Sequence, residues 1–335
     1  MDIDLSQYPF NFRSYVTRGV IWGQRQFFCK WLKGMTDHSL MPFHYQGAEA
    51  NEAIAGLLSS GRPCLVSRFG SVEIDAVLRG YDIAARGNVF CKSCRLLTGR
   101  SGPFWWDNSI RRGLLRTAGV FPADDATMMR FSKRVLDDCR RIDILGTWNA
   151  RERMLWKRFF PMSKGVPLGG LDPFFQARPW TRLLAGKKVL VVHSFTDTIA
   201  MQYQKRAALF ANPDMLPDFD LVLYRSVMSY LGLKTPYRDW FEALDKMCDD
   251  IMKIDFDIAI LGCGAYGMSL GAFIKDKLHR QAVHLGGVSQ LLFGIKGGRW
   301  DVLPEFQALY NDSWTRPLDS ERPVQYKAHE GGAYW

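Results

Sequence analysis

Residues 256–300 read FDIAILGCGAYGMSLGAFIKDKLHRQAVHLGGVSQLLFGIKGGRW. The apolar run Ile258–Leu261 predicts a buried strand, Gly262-Cys-Gly264-Ala-Tyr266-Gly267 a tight corner, and the residues after it a helix. Ala282-Val283 predicts a second strand, closed by a second corner at His284-Leu-Gly286-Gly287. Corners of this kind point backbone N–H groups and a helix dipole toward one place, which suits a phosphate-bearing ligand. The competing reading is that the glycines only let helix and strand pack closely. The first corner matches GxGxxG, but a nicotinamide-binding unit also places an acid at the end of the next strand to hold the ribose. Here that strand ends in His284, so the corner reads as a nucleotide or sugar-phosphate loop rather than a dehydrogenase fingerprint.

Working outward, further strands are predicted at Cys64–Ser67, Asp143–Gly146, Lys188–His193 and Leu221–Tyr224, ahead of Phe256–Leu261 and Gln281–Leu285. Helices separate them, with Tyr237–Lys253 the longest and further helical stretches around 150–160 and 173–185. Alternation of short apolar strands with helices predicts an α/β fold: a Rossmann-like, mostly parallel sheet with helices on both faces, plus an N-terminal helical extension. The chain divides into a basic amphipathic extension (1–46), the main domain (47–311) and a polar segment (312–335). Pro317, Pro323 and the Gly331-Gly332 pair make that segment read as a loose tail.

With 47% hydrophobic and 23% charged residues, a largely disordered chain is excluded. No apolar run approaches the roughly 20 residues of a spanning helix, and MDIDLSQYPFNF lacks the basic-then-apolar order of a secretory signal, so a cytoplasmic protein is expected. Seven scattered cysteines fit reduced thiols, and Cys91-Lys-Ser-Cys94 lacks the second pair that a zinc site would want. The net charge of +10 favours anionic partners, although nucleic acid is not expected among them. Residues 5–36 carry Arg13, Arg18, Arg25, Lys30 and Lys33, no acid, and Tyr15, Trp22, Phe27, Phe28 and Trp31. On a helical projection Val16, Val20, Phe27 and Trp31 share one side, a pattern that fits either peripheral contact with the inner face of a membrane or docking on the protein's own core.

Ligands of open α/β sheets sit beyond the carboxyl ends of the strands. Those ends carry Arg68-Phe-Gly70-Ser71-Val-Glu73, Thr147-Trp148, His193 with Asp197, and the two glycine corners. Arg68 suits a diphosphate; Glu73 suits a divalent metal or a sugar hydroxyl, or else an ion pair with Arg68 at the helix start. The RFGSVE turn, FDIAILGCGAYG and HLGGVSQLLFGIKGGRW together resemble glycosyltransferases of the GT-D fold, over about Gly61 to Trp300. The resemblance implies a Rossmann-like sheet and transfer of a sugar from a nucleotide-sugar donor to a glycan, lipid-linked or protein-linked acceptor, in assembly of bacterial surface polysaccharide or other glycoconjugates. The family motif at the first turn is Asp-x-Glu, implicated in binding a divalent metal (Mn or Mg). This chain has Ser71-Val-Glu73, which leaves one carboxylate and puts metal dependence in doubt.

Arg68, Lys296 and Arg299 would then neutralise the leaving diphosphate, with Gly70, Ser71, Thr147, Gly262, Gly264, Gly267, Gly286 and Gly287 lining the donor site. Trp148 and Tyr266 are candidate platforms for a base or sugar ring. His193, Asp197, Glu73 and His284 are the eligible proton acceptors, His193 first among them. Two other classes stay open: a non-catalytic nucleotide or sugar-phosphate binding protein, and a methyltransferase or oxidoreductase using the GCGAYG loop.

Overall fold

A computed structural model describes residues 12–23, 40–97 and 101–335. Most of the basic stretch at 5–36, including Arg25, Phe27, Phe28, Lys30, Trp31 and Lys33, lies outside the described residues. Seven strands form one sheet: β1 (Cys64–Arg68), β2 (Ile144–Thr147), β3 (Lys164–Pro167), β4 (Lys188–His193), β5 (Asp220–Arg225), β6 (Ile258–Gly262) and β7 (Gln281–His284). Their order across the sheet is β3-β2-β1-β7-β6-β4-β5, and every pairing is parallel. The helices that matter here are α1 (Phe12–Gly23), α2 (Ala48–Ser59), α3 (Ser71–Ala84), α4 (Asp125–Asp138), α5 (Glu152–Phe159), α6 (Thr196–Tyr203), α7 (Trp240–Ile251) and α8 (Tyr266–Lys277). Among the described residues no helix is long and apolar enough to cross a membrane.

The strands read as near-continuous apolar runs because both faces are covered, and alternate residues feed two cores. Leu65, Leu190, Val192, Ala259 and Leu261 enter one core with apolar residues of α3, α4, α5, α7 and α8. Cys64, Val66, Val189, Val191, Ile258 and Ile260 enter the other with α2, Trp180, Leu184, α6 and the turns at 286–293. Connections that step toward the β3 edge pack on the first face, and those that step toward the β5 edge (β3 to β4, β4 to β5) pack on the second. A single crossover hand demands this sorting of faces by direction.

β3 is a strand the sequence reading did not contain. Lys164-Gly-Val-Pro167 holds one large apolar residue and ends in proline, which an edge strand tolerates because one side needs no ladder. The helical stretch expected at 173–185 is instead a 3₁₀ turn at Trp180–Leu184. α1 lies near the short helix Asn108–Gly113, with Phe12, Tyr15 and Val16 exposed and Ser14 buried. The segment from 312 onward, expected as a loose tail, is packed: Trp314, Glu321, His329, Ala333 and Trp335 are all buried. Glu321 caps α6, accepting from the N–H groups of Asp197 (2.8 Å) and Thr198 (3.2 Å) and from the Thr198 hydroxyl. The Trp335 carbonyl accepts from Gly298 N–H at 3.3 Å, and that of Ala333 from Arg299 N–H at 2.9 Å.

The first-face core centres on Trp240, fully buried, stacked on Tyr266 at 5.0 Å between centroids and edge-on to Phe131 at 5.1 Å. Its indole N–H has no partner, so the residue contributes through area and ring contacts rather than a hydrogen bond. Trp240→Ala is expected to cost about 3–5 kcal/mol in denaturant unfolding, and Trp240→Phe distinctly less, because the ring contacts survive and no buried donor is stranded.

Candidate functional site

At the carboxyl ends, α3 and α8 leave β1 and β6 toward one face, while the segments after β7 and β4 leave toward the other. The chain therefore parts above the β1/β7, β7/β6 and β6/β4 boundaries, where a ligand crevice is expected. Arg68 ends β1 at this position. Its Nε and Nη2 donate to the Phe69 carbonyl at 3.2 and 2.9 Å, and the Trp148 indole donates to the same oxygen at 3.1 Å. One carbonyl thus ties the ends of β1 and β2 together. Nη1 of Arg68 lies 3.3 Å from where a side chain on Gly286 would begin, and Gly286 has φ +69°. The second glycine corner therefore holds the guanidinium directly.

Three carboxyl groups lie within the field of Arg68. Burial raises the Glu73 pKa, its own backbone N–H opposing this most and Arg68 next. The Glu73 carboxylate turns back over Gly70, in the field of the N–H groups of its own first helical turn. Burial also raises the pKa of Glu152, against the Thr147 hydroxyl, the N–H groups of Asn149 and Trp148, and Arg68. All three bonds go to Oε2 (Trp148 2.9 Å, Asn149 3.2 Å), while Oε1 is buried without a partner. Asp172 follows β3, next to Leu171, whose side chain packs on Gly146 of β2. Burial lifts its pKa to about 7, offset only by Arg68.

The two histidines expected as proton acceptors are packing residues. His193 is buried, its ring lies against Gly262, and its Nδ1 accepts the Phe195 N–H at 2.9 Å. The proton of the neutral ring is therefore on Nε2. Burial alone lowers its pKa to about 3, too weak a base for work near neutrality. His284 bonds the Ser67 hydroxyl at 3.0 Å, and its ring fills the space a side chain on Gly267 would need. Burial, then Arg68, brings it to about 3 as well. Asp197 is exposed and paired with Arg225 at 2.6 Å.

The first glycine corner does line a cavity. Gly262, Cys263, Gly264 and Tyr266 form one wall, and Thr117, Ser194, Ser226, Ser229 and Tyr230 supply hydroxyls. Gly264 has φ +58° with no atom closer than 4.0 Å to a notional side chain, so glycine is required there by backbone conformation rather than by contact. Tyr266, expected as an open platform, is buried in the stack on Trp240 with its hydroxyl 3.0 Å from Ser229. The basic loop is occupied by the C-terminal segment: Arg299 pairs with Glu330 and lies over Tyr334, whose ring sits against Gly287. Lys296 lies over Tyr310 at 5.2 Å.

A divalent ion, already in doubt from Ser71-Val-Glu73, does not fit these residues. Ser71 is exposed, the Glu73 carboxylate is turned onto its own helix, and among the described residues no group of three or more His, Cys, Asp or Glu is placed to hold a metal. Trp148 remains as a half-exposed ring at the end of β2. Glu152, Asp172, the cavity serines, Glu330 and Tyr334 were not among the sequence candidates. Asp172 alone left a signal, as an acid in Gly169-Gly-Leu-Asp-Pro173 just past a strand too short to recognise. Comparison with protein-family models, with curated proteins and with solved structures finds no match to this chain.

The histidine assignments carry a pH consequence. A group with a native pKa near 3 and an unfolded pKa near 6.5 leaves the native state with fewer bound protons between those values, so stability falls as pH drops through that window. Relative to His193→Gln, the unsubstituted protein should lose stability on acidification from pH 6.5 toward 4, by up to about 1.4 kcal/mol per pH unit. Urea titrations of the two proteins at stepped pH measure this; parallel curves would place a charged imidazole in the native state.

Proposed function

We propose that the protein is a glycosyltransferase that takes its sugar from a nucleotide-sugar donor. The observation that carries this reading is the hydroxyl-lined cavity walled by Gly262–Gly264, opening at the carboxyl ends of β4, β5 and β6 in the same sheet that holds Arg68 at the end of β1. Backbone N–H groups at a glycine corner and hydroxyls from Ser194 and Ser226 suit a single phosphate group, the most that a cavity of about 40 Å³ admits without opening further. Arg68 and the acids around it suit the sugar end. The acceptor class, the biosynthetic pathway and a cytoplasmic or membrane-peripheral location belong to the same proposal, and rest on the resemblance of the three segments to GT-D enzymes.

A second reading, nucleotide or sugar-phosphate binding without turnover, draws on a specific observation. The groups expected to stabilise a leaving diphosphate are engaged by the protein itself, Arg68 by the Phe69 carbonyl and Arg299 by Glu330. Donor turnover separates the two readings, since both predict nucleotide binding.

Thermal-shift measurements with UDP, GDP, CMP and TDP sugars, NAD and S-adenosylmethionine test the ligand class. Stabilisation by one nucleotide sugar at millimolar concentration, on the order of 2–4 kcal/mol if the concentration is 100–1,000 times Kd, is the expected result. Thr117→Trp, at a half-buried residue of the cavity lining, should remove that shift while leaving the unliganded melting temperature within a few degrees. A shift with S-adenosylmethionine or NAD alone would replace the transferase reading with the third class. Gly264→Val is a poor probe here, because its φ of +58° makes a β-branched side chain costly whatever binds.

A further inference from the structure

The cysteines among the described residues are of two kinds. Cys64, Cys139, Cys248 and Cys263 are buried, and burial pushes each thiol up to about 12, where it is inert. Cys91 and Cys94 are exposed on the helix Val89–Leu97, three residues apart and so on one face of it. They form a dithiol at the surface, outside both hydrophobic cores.

Helix geometry brings this pair within reach of one bond. Cα atoms three residues apart in a helix are separated by about 5 Å, inside the range of about 4.4–6.8 Å that a disulfide spans. The side chains must close by about 1 Å, which a local tightening to 3₁₀ geometry supplies, since residues i and i+3 then eclipse. The Asn88 side chain accepts the Cys91 N–H at 2.9 Å and so holds Cys91 in the first turn. Approach from solvent is open. Every residue from Arg86 to Cys91 is exposed, and Gly87, with φ +133°, puts no side chain beside Cys91, whose Cβ is 3.8 Å from where one would begin.

Number and charge decide the partner. Two thiols cannot enclose a zinc ion, and among the described residues no group of three or more His, Cys, Asp or Glu could hold a metal. Residues 83–97 carry Arg86, Lys92 and Arg95 and no acid, and Asp82 just before them is buried. A disulfide reagent bearing carboxylates is drawn to such a surface.

We propose that Cys91 and Cys94 are a redox-active dithiol, oxidised reversibly to an intrahelical disulfide by an anionic low-molecular-weight disulfide of the glutathione type. The Cys91 thiolate, nearer the helix N-terminus, attacks one sulfur of that reagent; a mixed disulfide forms and the first thiol leaves, taking up the proton Cys91 gave. The Cys94 thiolate then attacks the Cys91 sulfur, the Cys91–Cys94 bond forms, and the second thiol leaves. The protein loses two electrons and two protons, and the reagent becomes two reduced thiols. This site is independent of the transferase reading.

The reduced full chain is incubated with graded ratios of oxidised to reduced glutathione, quenched by alkylation, and read by intact mass and peptide mapping. The expected product has lost two hydrogen atoms, maps as a Cys91–Cys94 disulfide, and is restored by dithiothreitol. Mapping also separates any adduct on Cys29, which lies outside the described residues. Cys94→Ser should stop at one glutathionyl group on Cys91. Oxidation by glutathione disulfide should slow as salt is raised, whereas oxidation by cystamine, a cation, should quicken. The same salt response for both reagents would overturn the anionic class of oxidant. Two glutathionyl groups that persist, one on each of Cys91 and Cys94, would overturn the disulfide, as would a lack of reaction at both under conditions that oxidise the denatured chain. Both positions are exposed, and the unsubstituted chain alone decides the matter should the variant fail to fold.

Discussion

The Phe69 carbonyl receives the forked donation of Arg68 and the indole N–H of Trp148, and much of the upper surface of the sheet depends on that oxygen. It holds the guanidinium over the Gly286 corner, fixes the Trp148 ring at the rim, and brings the end of β2 against the end of β1. Once Arg68 is held there, the carboxyl groups of Glu73, Glu152 and Asp172 share its field, and His284 is pushed further from protonation. A charged fork on a backbone carbonyl is well suited to such a position, because the planar guanidinium brings two donors to one oxygen in a fixed geometry.

The glycine corners serve packing and ligand chemistry unequally. At Gly267 the ring of His284 occupies the side-chain position, and at Gly262 the ring of His193 and the Ser289 hydroxyl do. These contacts weld β6 and β7 to α8 and to the turns beyond. Only at Gly264 is the space open, and there the cavity begins. The steric reading of the glycines thus holds at Gly262 and Gly267, and Gly264 alone of that six-residue corner leaves open space beside it.

The sheet was legible in the sequence wherever a strand crossed both cores, because Leu190–Val192 or Ile258–Leu261 must be apolar on every side. β3 was not, since an edge strand with a glycine and a proline carries no such run. Candidate residues were legible where they close or follow apolar strands, as Arg68 and Trp148 do. Glu152 and Asp172 were not, because their spacing along the chain resembles any helix start or turn. The C-terminal segment misled for a related reason: its polar and glycine-rich residues satisfy partners on other elements, as Glu321 does for α6, and nothing local in the sequence reveals a distant acceptor's donors. His193 and His284 stood at strand ends as expected, but a hydrogen bond from neighbouring backbone and a dry surrounding make them spacers.

Ser67 and His284, bonded across the β1/β7 pair, are 217 residues apart in the chain. The middle of the sheet is therefore its last part to be synthesised and its most expensive loop to close, although closure entropy grows only logarithmically with length. Until β7 arrives, β1 with β2 and β3 on one side and β4, β5 and β6 on the other are two half-sheets, each presenting an open apolar edge. A chain arrested before residue 281 on the ribosome would carry both edges exposed, and slow, aggregation-sensitive folding is the kinetic signature this strand order favours.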